Sequence, residues 1–236
     1  MLAAPDGGVT SIYLARGDEV DSFRPLLTGD IFSDTEIPGV DTETGLAVVL
    51  DHPCSMRRGV TLAGHLVMAR VISRPDLPRP AKWPTDGLWD LFPLPELDSS
   101  GERRAAALDQ IGRVPSASLD LGRRVACLSD QGIVLLIQRQ IHRLSRFVAP
   151  LADLYEVCAP VLTEADLLTE WNAGLVPHRQ KVTGAALAEA MVAETGDFEA
   201  FLAGDEPSLR ERLKTDHLRS GVRRAVRLEI RERRAR

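Results

Sequence analysis

Residues 45–50, Gly-Leu-Ala-Val-Val-Leu, are apolar at consecutive positions. A short run of this kind predicts a strand buried on both faces, as in a barrel or a sheet centre. The run at 65–72, His-Leu-Val-Met-Ala-Arg-Val-Ile, reads as its antiparallel partner. The first ~75 residues as a whole alternate short apolar runs with Gly, Pro and Asp, the punctuation of strands and turns. Residues 74–100 break the pattern with Pro75, Pro78, Pro80, Pro84, Pro93 and Pro95. Proline fixes φ and removes a donor, so neither a long helix nor a central strand fits there. Trp83, Trp89 and Phe92 lie in this segment. They pin a loop onto the core or line a cleft, and a hairpin around Asp86-Gly87 also fits.

From Gly101 the period turns helical. Glu102–Ile111 reads as a short helix. Ser129-Asp130 offers an N-cap for a helix over Gln131–Val148, which Pro150 stops. Its Ile133, Ile137, Ile141, Leu144 and Val148 recur at steps of 3 and 4, an amphipathic face. Leu151–Cys158 reads as the next helix. Thr163 and Asp166 stand in capping-box positions for another that ends near Trp171. Gly174–Lys181 reads as a loop, Ala185–Glu194 and Asp197–Leu202 as helices. Pro207-Ser208 opens a last long helix. Strands first and helices later predict an α+β fold: a β-barrel domain over 1–100 with a Pro-rich loop, then a helical region over 101–236.

The chemistry-bearing residues gather where the first strong strand ends. Residues 46–59 read LAVVLDHPCSMRRG, so Asp51, His52, Cys54, Ser55, Arg57 and Arg58 follow the apolar run directly. His52 and His65 flank a hairpin-like loop. Metal-independent RNA cleavage needs an acid, a base and cationic donors for the phosphorane. His52 and His65 as acid and base, with Arg57 or Arg58 as the phosphate donor, would supply them. The bland alternative is a loop of locally bonded and solvated side chains. Cys54 could act as a thiolate nucleophile. However, CSMRRG is too short for a phosphate cradle, and an inert thiol is the simpler reading.

Charge adds a second theme. The net charge is −5, but residues 208–236 carry eleven Lys/Arg against four acids, so this tail is +7 and the rest −12. A basic tail on an acidic body points to a polyanion partner or to a tail that docks on the body. Arg139, His142, Arg143 and Arg146 fall at i, i+3, i+4 and i+7, which sets them on one face opposite the apolar stripe. Arg223 and Arg227 on the last helix join them as candidate nucleic-acid contacts. The alternative is a solvated face. Three widely spaced cysteines (Cys54, Cys127, Cys158) and no CxxC argue against a disulfide framework or a structural zinc site. The expectation is a cytoplasmic chain with no cofactor and no metal. No apolar stretch reaches the ~18 residues a membrane span needs.

The strand region resembles the MazF/PemK-like toxins over roughly residues 24–75. In that family an early Gly-Asp pair opens a strand, as Gly29-Asp30-Ile31-Phe32 does. A later apolar strand ends in a short polar loop, as Ala47-Val48-Val49-Leu50-Asp51-His52 does. A third strand follows, as Leu66-Val67-Met68-Ala69-Arg70-Val71 does. The resemblance implies an SH3-like antiparallel barrel and cleavage of single-stranded RNA. Gly45-Leu46 stands where the family has its catalytic Arg, and the family's catalytic Thr or Ser position falls at or near His65. Two functions follow as expectations. One is a toxin-like endoribonuclease acting through His52, Arg57, Arg58 and His65. The other is a non-catalytic module that binds nucleic acid, a protein partner or a second copy, inside a larger defence or regulatory system.

Overall fold

The run of Ala47, Val48 and Val49 forms a strand with every side chain buried, and a sheet assembles around it. In the computed structural model, residues 2–41, 44–58, 61–85, 87–179, 185–204 and 206–235 are described; the side chains of 57, 58, 81, 177–179 and 185–188 lie outside that description. The strands are β1 (Tyr13–Arg16), β2 (Ile31–Phe32), β3 (Ala47–Val49), β4 (Arg57–Arg58), β5 (Thr61–Leu62), β6 (His65–Ser73), β7 (Leu91–Leu94), β8 (Arg104–Pro115) and β9 (Arg124–Leu128). The helices are α1 (Pro53–Met56), α2 (Asp130–Ser145), α3 (Leu151–Arg179), α4 (Ala185–Ala203), α5 (Leu209–Leu213) and α6 (Asp216–Ala235). Seven strands form one antiparallel sheet in the order β1-β9-β2-β3-β6-β8-β7, curled into a half-barrel, and helices dominate the C-terminal region.

The pairing of the two Val-rich runs is as their patterns predict: Ala47, Val48 and Val49 stand opposite Arg70, Ala69 and Met68. The stretch expected as the helix Glu102–Ile111 is instead part of β8, which pairs with β6 on one side and β7 on the other. Its Ala105, Ala106 and Ala107 favour helix intrinsically. They are fully buried here, because a sheet with neighbours on both sides has room for small side chains, and tertiary packing overrides propensity. The sheet therefore runs on to Leu128, well past the boundary expected at residue 100. Proline explains the position of β7. Pro93 cannot donate to a ladder, and β7 is an edge strand.

Residues 1–22, 26–56 and 62–157 form one compact unit; residues 23–25, 57–61 and 158–236 form a second. In the first, Leu26, Phe32, Ile37, Ala47, Val49, Met56, Leu66, Met68 and Val114 make a buried cluster. Two close approaches require glycine there. Gly29 has φ +81°, and a Cβ would sit 2.5 Å from Leu128 Cδ1. A Cβ on Gly132 would meet the Ile12 carbonyl oxygen at 2.2 Å, so the first turn of α2 lies directly on the backbone before β1. Ser129 caps that turn as expected, accepting the Gly132 N–H.

The second unit is helical. Leu167, Leu168, Trp171, Leu175, Phe198, Leu202, Leu209, Leu213, Val222, Val226 and Ile230 form its core. The helices expected as separate pieces over 151–171 are one helix, α3. Pro160, which lies between the two expected helices, and Thr163, read as a cap, both lie inside it. An internal proline removes one backbone bond, and the buried face from Leu162 to Val176 outweighs that loss. α3 also continues through Gly174 to Arg179, where a loop was expected; residues 180 and 181 lie outside the described residues. The two helices expected over 185–202 are likewise one, α4, and the expected last long helix divides into α5 and α6. Among the described residues no helix is long and apolar enough to cross a membrane.

A buried ion pair joins the residue before β2 to the first residue of β9. Arg124 Nη1 lies 2.8 Å from Asp30 Oδ2, with side chains 1% and 0% exposed. The same oxygen accepts the Leu27 N–H at 3.0 Å. Removing one partner of such a pair strands the other charge in a low-dielectric interior. Asp30→Asn is therefore expected to cost roughly 3–5 kcal/mol of stability, measured as a lower urea midpoint at unchanged m-value.

Candidate functional site

The regular β3–β6 ladder ends at Leu50. The Leu50 N–H donates to Val67 O at 2.9 Å. In an unbroken antiparallel pair the Val67 N–H would return to Leu50 O. It goes instead to the Asp51 carboxylate, with Oδ2 accepting at 2.6 Å. Leu50 O accepts from Gln140 Nε2 of α2 at 3.3 Å. The Asp51 carbonyl accepts from the Thr28 hydroxyl. A carboxylate thus stands in for a peptide carbonyl, and a helix side chain takes the carbonyl so released.

His52 then leaves the sheet. Its carbonyl accepts the Ser55 N–H at 2.8 Å and the Met56 N–H at 3.3 Å, which closes the short helix α1. Its Nδ1 accepts the Cys54 N–H at 3.3 Å. An imidazole that accepts at Nδ1 carries its proton on Nε2 when neutral. His52 in this arrangement offers a donor at Nε2, not a base. Partial burial lowers its pKa from the usual 6.5. His65 opens β6, is exposed, and stands opposite Pro115. The ladder stops two residues short of a His52–His65 pair, so no backbone pairing holds the two imidazoles together. Arg57 and Arg58 form β4, paired with β5, and belong to the second unit. Their side chains lie outside the described residues. His52 and His65 belong to the first unit. Among the described residues there is no His/Cys/Asp/Glu group able to hold a metal ion.

The helix expected to present a basic face departs from that reading. Arg139 is 1% exposed. Its Nη1 donates to Leu88 O at 2.8 Å and Leu91 O at 3.3 Å, and its Nη2 to Trp83 O at 3.4 Å. Its guanidinium lies 6.0 Å from the Trp83 ring centre. Burial pushes its pKa down to about 10. His142 is also buried, with its ring 5.4 Å from that of Trp89. Among the described residues neither ring nitrogen has a hydrogen-bond partner. Arg143 is half-buried and Arg146 exposed. The expected apolar stripe departs too. Ile133 is buried, but Ile137 and Ile141 are only half-buried and Leu144 is 79% exposed. The physical reason is one of supply. A segment with six prolines is short of N–H donors, and a guanidinium carries five. The polar side of α2 therefore turns inward to serve carbonyls, and the apolar edge drifts outward.

On α6, Arg223 faces Asp166 at 3.5 Å, and Arg227 grips Glu170 through two bonds of 2.7 and 2.9 Å. Hydrogen bonding from Arg227 holds the Glu170 carboxyl below its usual range. The pattern extends along the tail. Arg210 bonds Glu164 and Glu199, and Arg233 bonds Asp197 and Glu229. Within the second unit the basic tail docks on the acids of α3 and α4.

Sequence reasoning passed over Asp51, Gln138 and Gln140 as structural linkers. An uncharged amide in a charged run gives no signal of its own; only the tertiary partner reveals it. No protein-family model matches the chain, and no curated protein matches it by sequence.

Arg139→Met keeps the volume and leaves the carbonyls of Trp83, Leu88 and Leu91 without their donor. A loss of roughly 3 kcal/mol is expected, read from urea unfolding followed by tryptophan fluorescence. For His52 the folded pKa lies below the unfolded one. Its contribution is thus present above pH 6.5 and lost as pH falls through the folded value. Wild type should lose stability on acidification beyond that lost by His52→Gln. Equal pH dependence in the two proteins would contradict the burial of His52.

Proposed function

We propose that the chain is a non-catalytic binding module whose partner is a protein. The observation that carries this reading is the internal use of the cationic side chains. Arg139 bonds three carbonyls, and Arg223 and Arg227 pair with Asp166 and Glu170. Arg223 and Arg227 also lie at or near the surface, but each faces a carboxylate; of the candidate nucleic-acid contacts, Arg143 and Arg146 are the two at or near the surface that make no ion pair among the described residues. The unit that carries them has 13 basic and 21 acidic side chains, net −8. A field of that sign repels a polyanion. The first unit instead exposes Trp89, Leu144 and Phe147 near these arginines. Trp, Phe and Arg are enriched in protein interfaces and lead among binding hot spots.

The chemistry supports binding as well. A nuclease of the toxin kind needs a free base near a phosphate donor. His52 gives its Nδ1 lone pair to a backbone amide. An SH3-like relationship to the MazF/PemK-like toxins stays part of this proposal. Such a scaffold, carrying Gly45-Leu46 where the family has its arginine, would keep the sheet and lose the reaction.

The test uses purified full-length chain with single- and double-stranded RNA and DNA oligonucleotides. Neither cleavage, with or without Mg²⁺, Mn²⁺ or Zn²⁺, nor a gel shift at about 100 mM salt is expected. Cleavage that His52→Ala or His65→Ala abolishes would overturn the reading. So would salt-sensitive binding that Arg143→Ala/Arg146→Ala removes.

A further inference from the structure

The elbow between α2 and α3 carries two unlike surfaces a few residues apart. The first is the end of α2. Leu144 is 79% and Phe147 61% exposed, with Arg143 and Arg146 beside them. The second is the start of α3. Asp153, Glu156 and Val157 fall at i, i+3 and i+4, one helix face, and Val157 is 66% exposed. Among the described residues none of Arg143, Arg146, Asp153 and Glu156 makes an ion pair. One surface is basic and apolar, the other acidic and apolar.

The elbow is also held rigidly. Gln138 Nε2 donates to Ala149 O at 2.7 Å in the interior. Arg146 adopts φ +60° and donates its N–H to His142 O at 2.7 Å. The Phe147 N–H donates to Ser145 Oγ, which itself donates to Ile141 O. A non-glycine residue in the left-handed region costs about 1 kcal/mol. Here it fixes the backbone that carries Phe147. Apolar side chains carried on a backbone already held in place cost less ordering when a partner binds.

We propose that the occupant is a second copy of this chain, with the α2 end of each protomer docked on the α3 start of the other. A two-fold interface must be self-complementary: if one surface meets another, the reverse contact forms as well. The elbow meets this condition in charge and in polarity. Arg143 and Arg146 face the partner's carboxylates, while Leu144 and Phe147 cover the partner's valine. Each contact occurs twice. The inference rests on the reading of the chain as a protein-binding module and names the partner.

Sedimentation equilibrium on the full chain tests it. Wild type at about 50 µM, a level that fills a micromolar dimer, should sediment at twice 25.8 kDa. Arg143→Glu/Arg146→Glu and Asp153→Arg/Glu156→Arg should each raise the dimer dissociation constant by about 100-fold or more, since symmetry turns every attractive pair repulsive. Mixed in equal amounts, the two variants should dimerise again, because each now complements the other at both contacts. Leu144→Ser gives a charge-free check and should weaken the dimer about tenfold. Circular dichroism confirms that each variant is folded. A wild-type monomer, a dimer indifferent to these changes, or variants that stay apart when mixed would each overturn the proposal. None of these outcomes depends on nucleic acid, so RNA cleavage would sink the binding-module reading without touching this measurement.

Discussion

The Arg139 guanidinium, closed inside the first unit and donating to three carbonyls, sets the terms for much of its architecture. A chain segment crowded with proline keeps its acceptors and loses its donors, and buried acceptors must be met. One arginine meets Trp83, Leu88 and Leu91 at once. Its neighbours act likewise. Gln138 holds the elbow at Ala149 and accepts from Ala3, and Gln140 takes the Leu50 carbonyl at the end of β3. Three consecutive side chains thus tie α2 to the Pro-rich segment, to the turn before α3 and to the sheet. The helix works as a bracket, and its polar content is oriented by backbone demand rather than by solvent.

The second unit shows why basic composition and basic surface are different quantities. Its α6 is rich in arginine, yet Arg227 and Arg233 lie within hydrogen-bond reach of carboxylates, and Arg233 also stacks 4.7 Å from the Trp171 ring centre. Exposed pairs of this sort contribute little stability one by one. Their main effect is to set a carboxylate beside each guanidinium that a polyanion would otherwise meet. Among the exposed apolar side chains, Leu144, Phe147 and Val157 are each more than half exposed and lie close to one bend.

Strand β3, its pairing with β6 and the cap at Ser129 were legible, because each is a local signal of period, turn or polarity. Strand β8 was not. Its alanines favour helix, and only neighbours on both sides reveal a sheet interior. The division of 151–171 into two helices misled in the same way, since an internal proline such as Pro160 is overruled when one long face is buried. The candidate site was partly legible. LDHPCS was correctly read as the end of a strand entering a polar turn. The tautomer of His52 follows from a single amide of Cys54, and the inward turn of Arg139 from carbonyls some fifty residues earlier. Those are tertiary facts without a sequence spacing. The exposure of Leu144 was concealed because it continues an amphipathic stripe whose first member, Ile133, is buried.

The tail's ion pairs also bear on the order in which the molecule is made. Arg210 meets Glu164 across 46 residues, Arg227 meets Glu170 across 57, and Arg234 reaches the Gly174 carbonyl across 60. A ribosome delivers the acids of α3 well before the arginines that neutralise them. Until α5 and α6 emerge, α3 presents Glu164, Asp166 and Glu170 without these partners, beside apolar side chains that the later helices will cover. The nascent helix is therefore an acidic, incomplete surface for several seconds at ordinary elongation rates. During that interval the second unit is open to any cationic chain that arrives before its own.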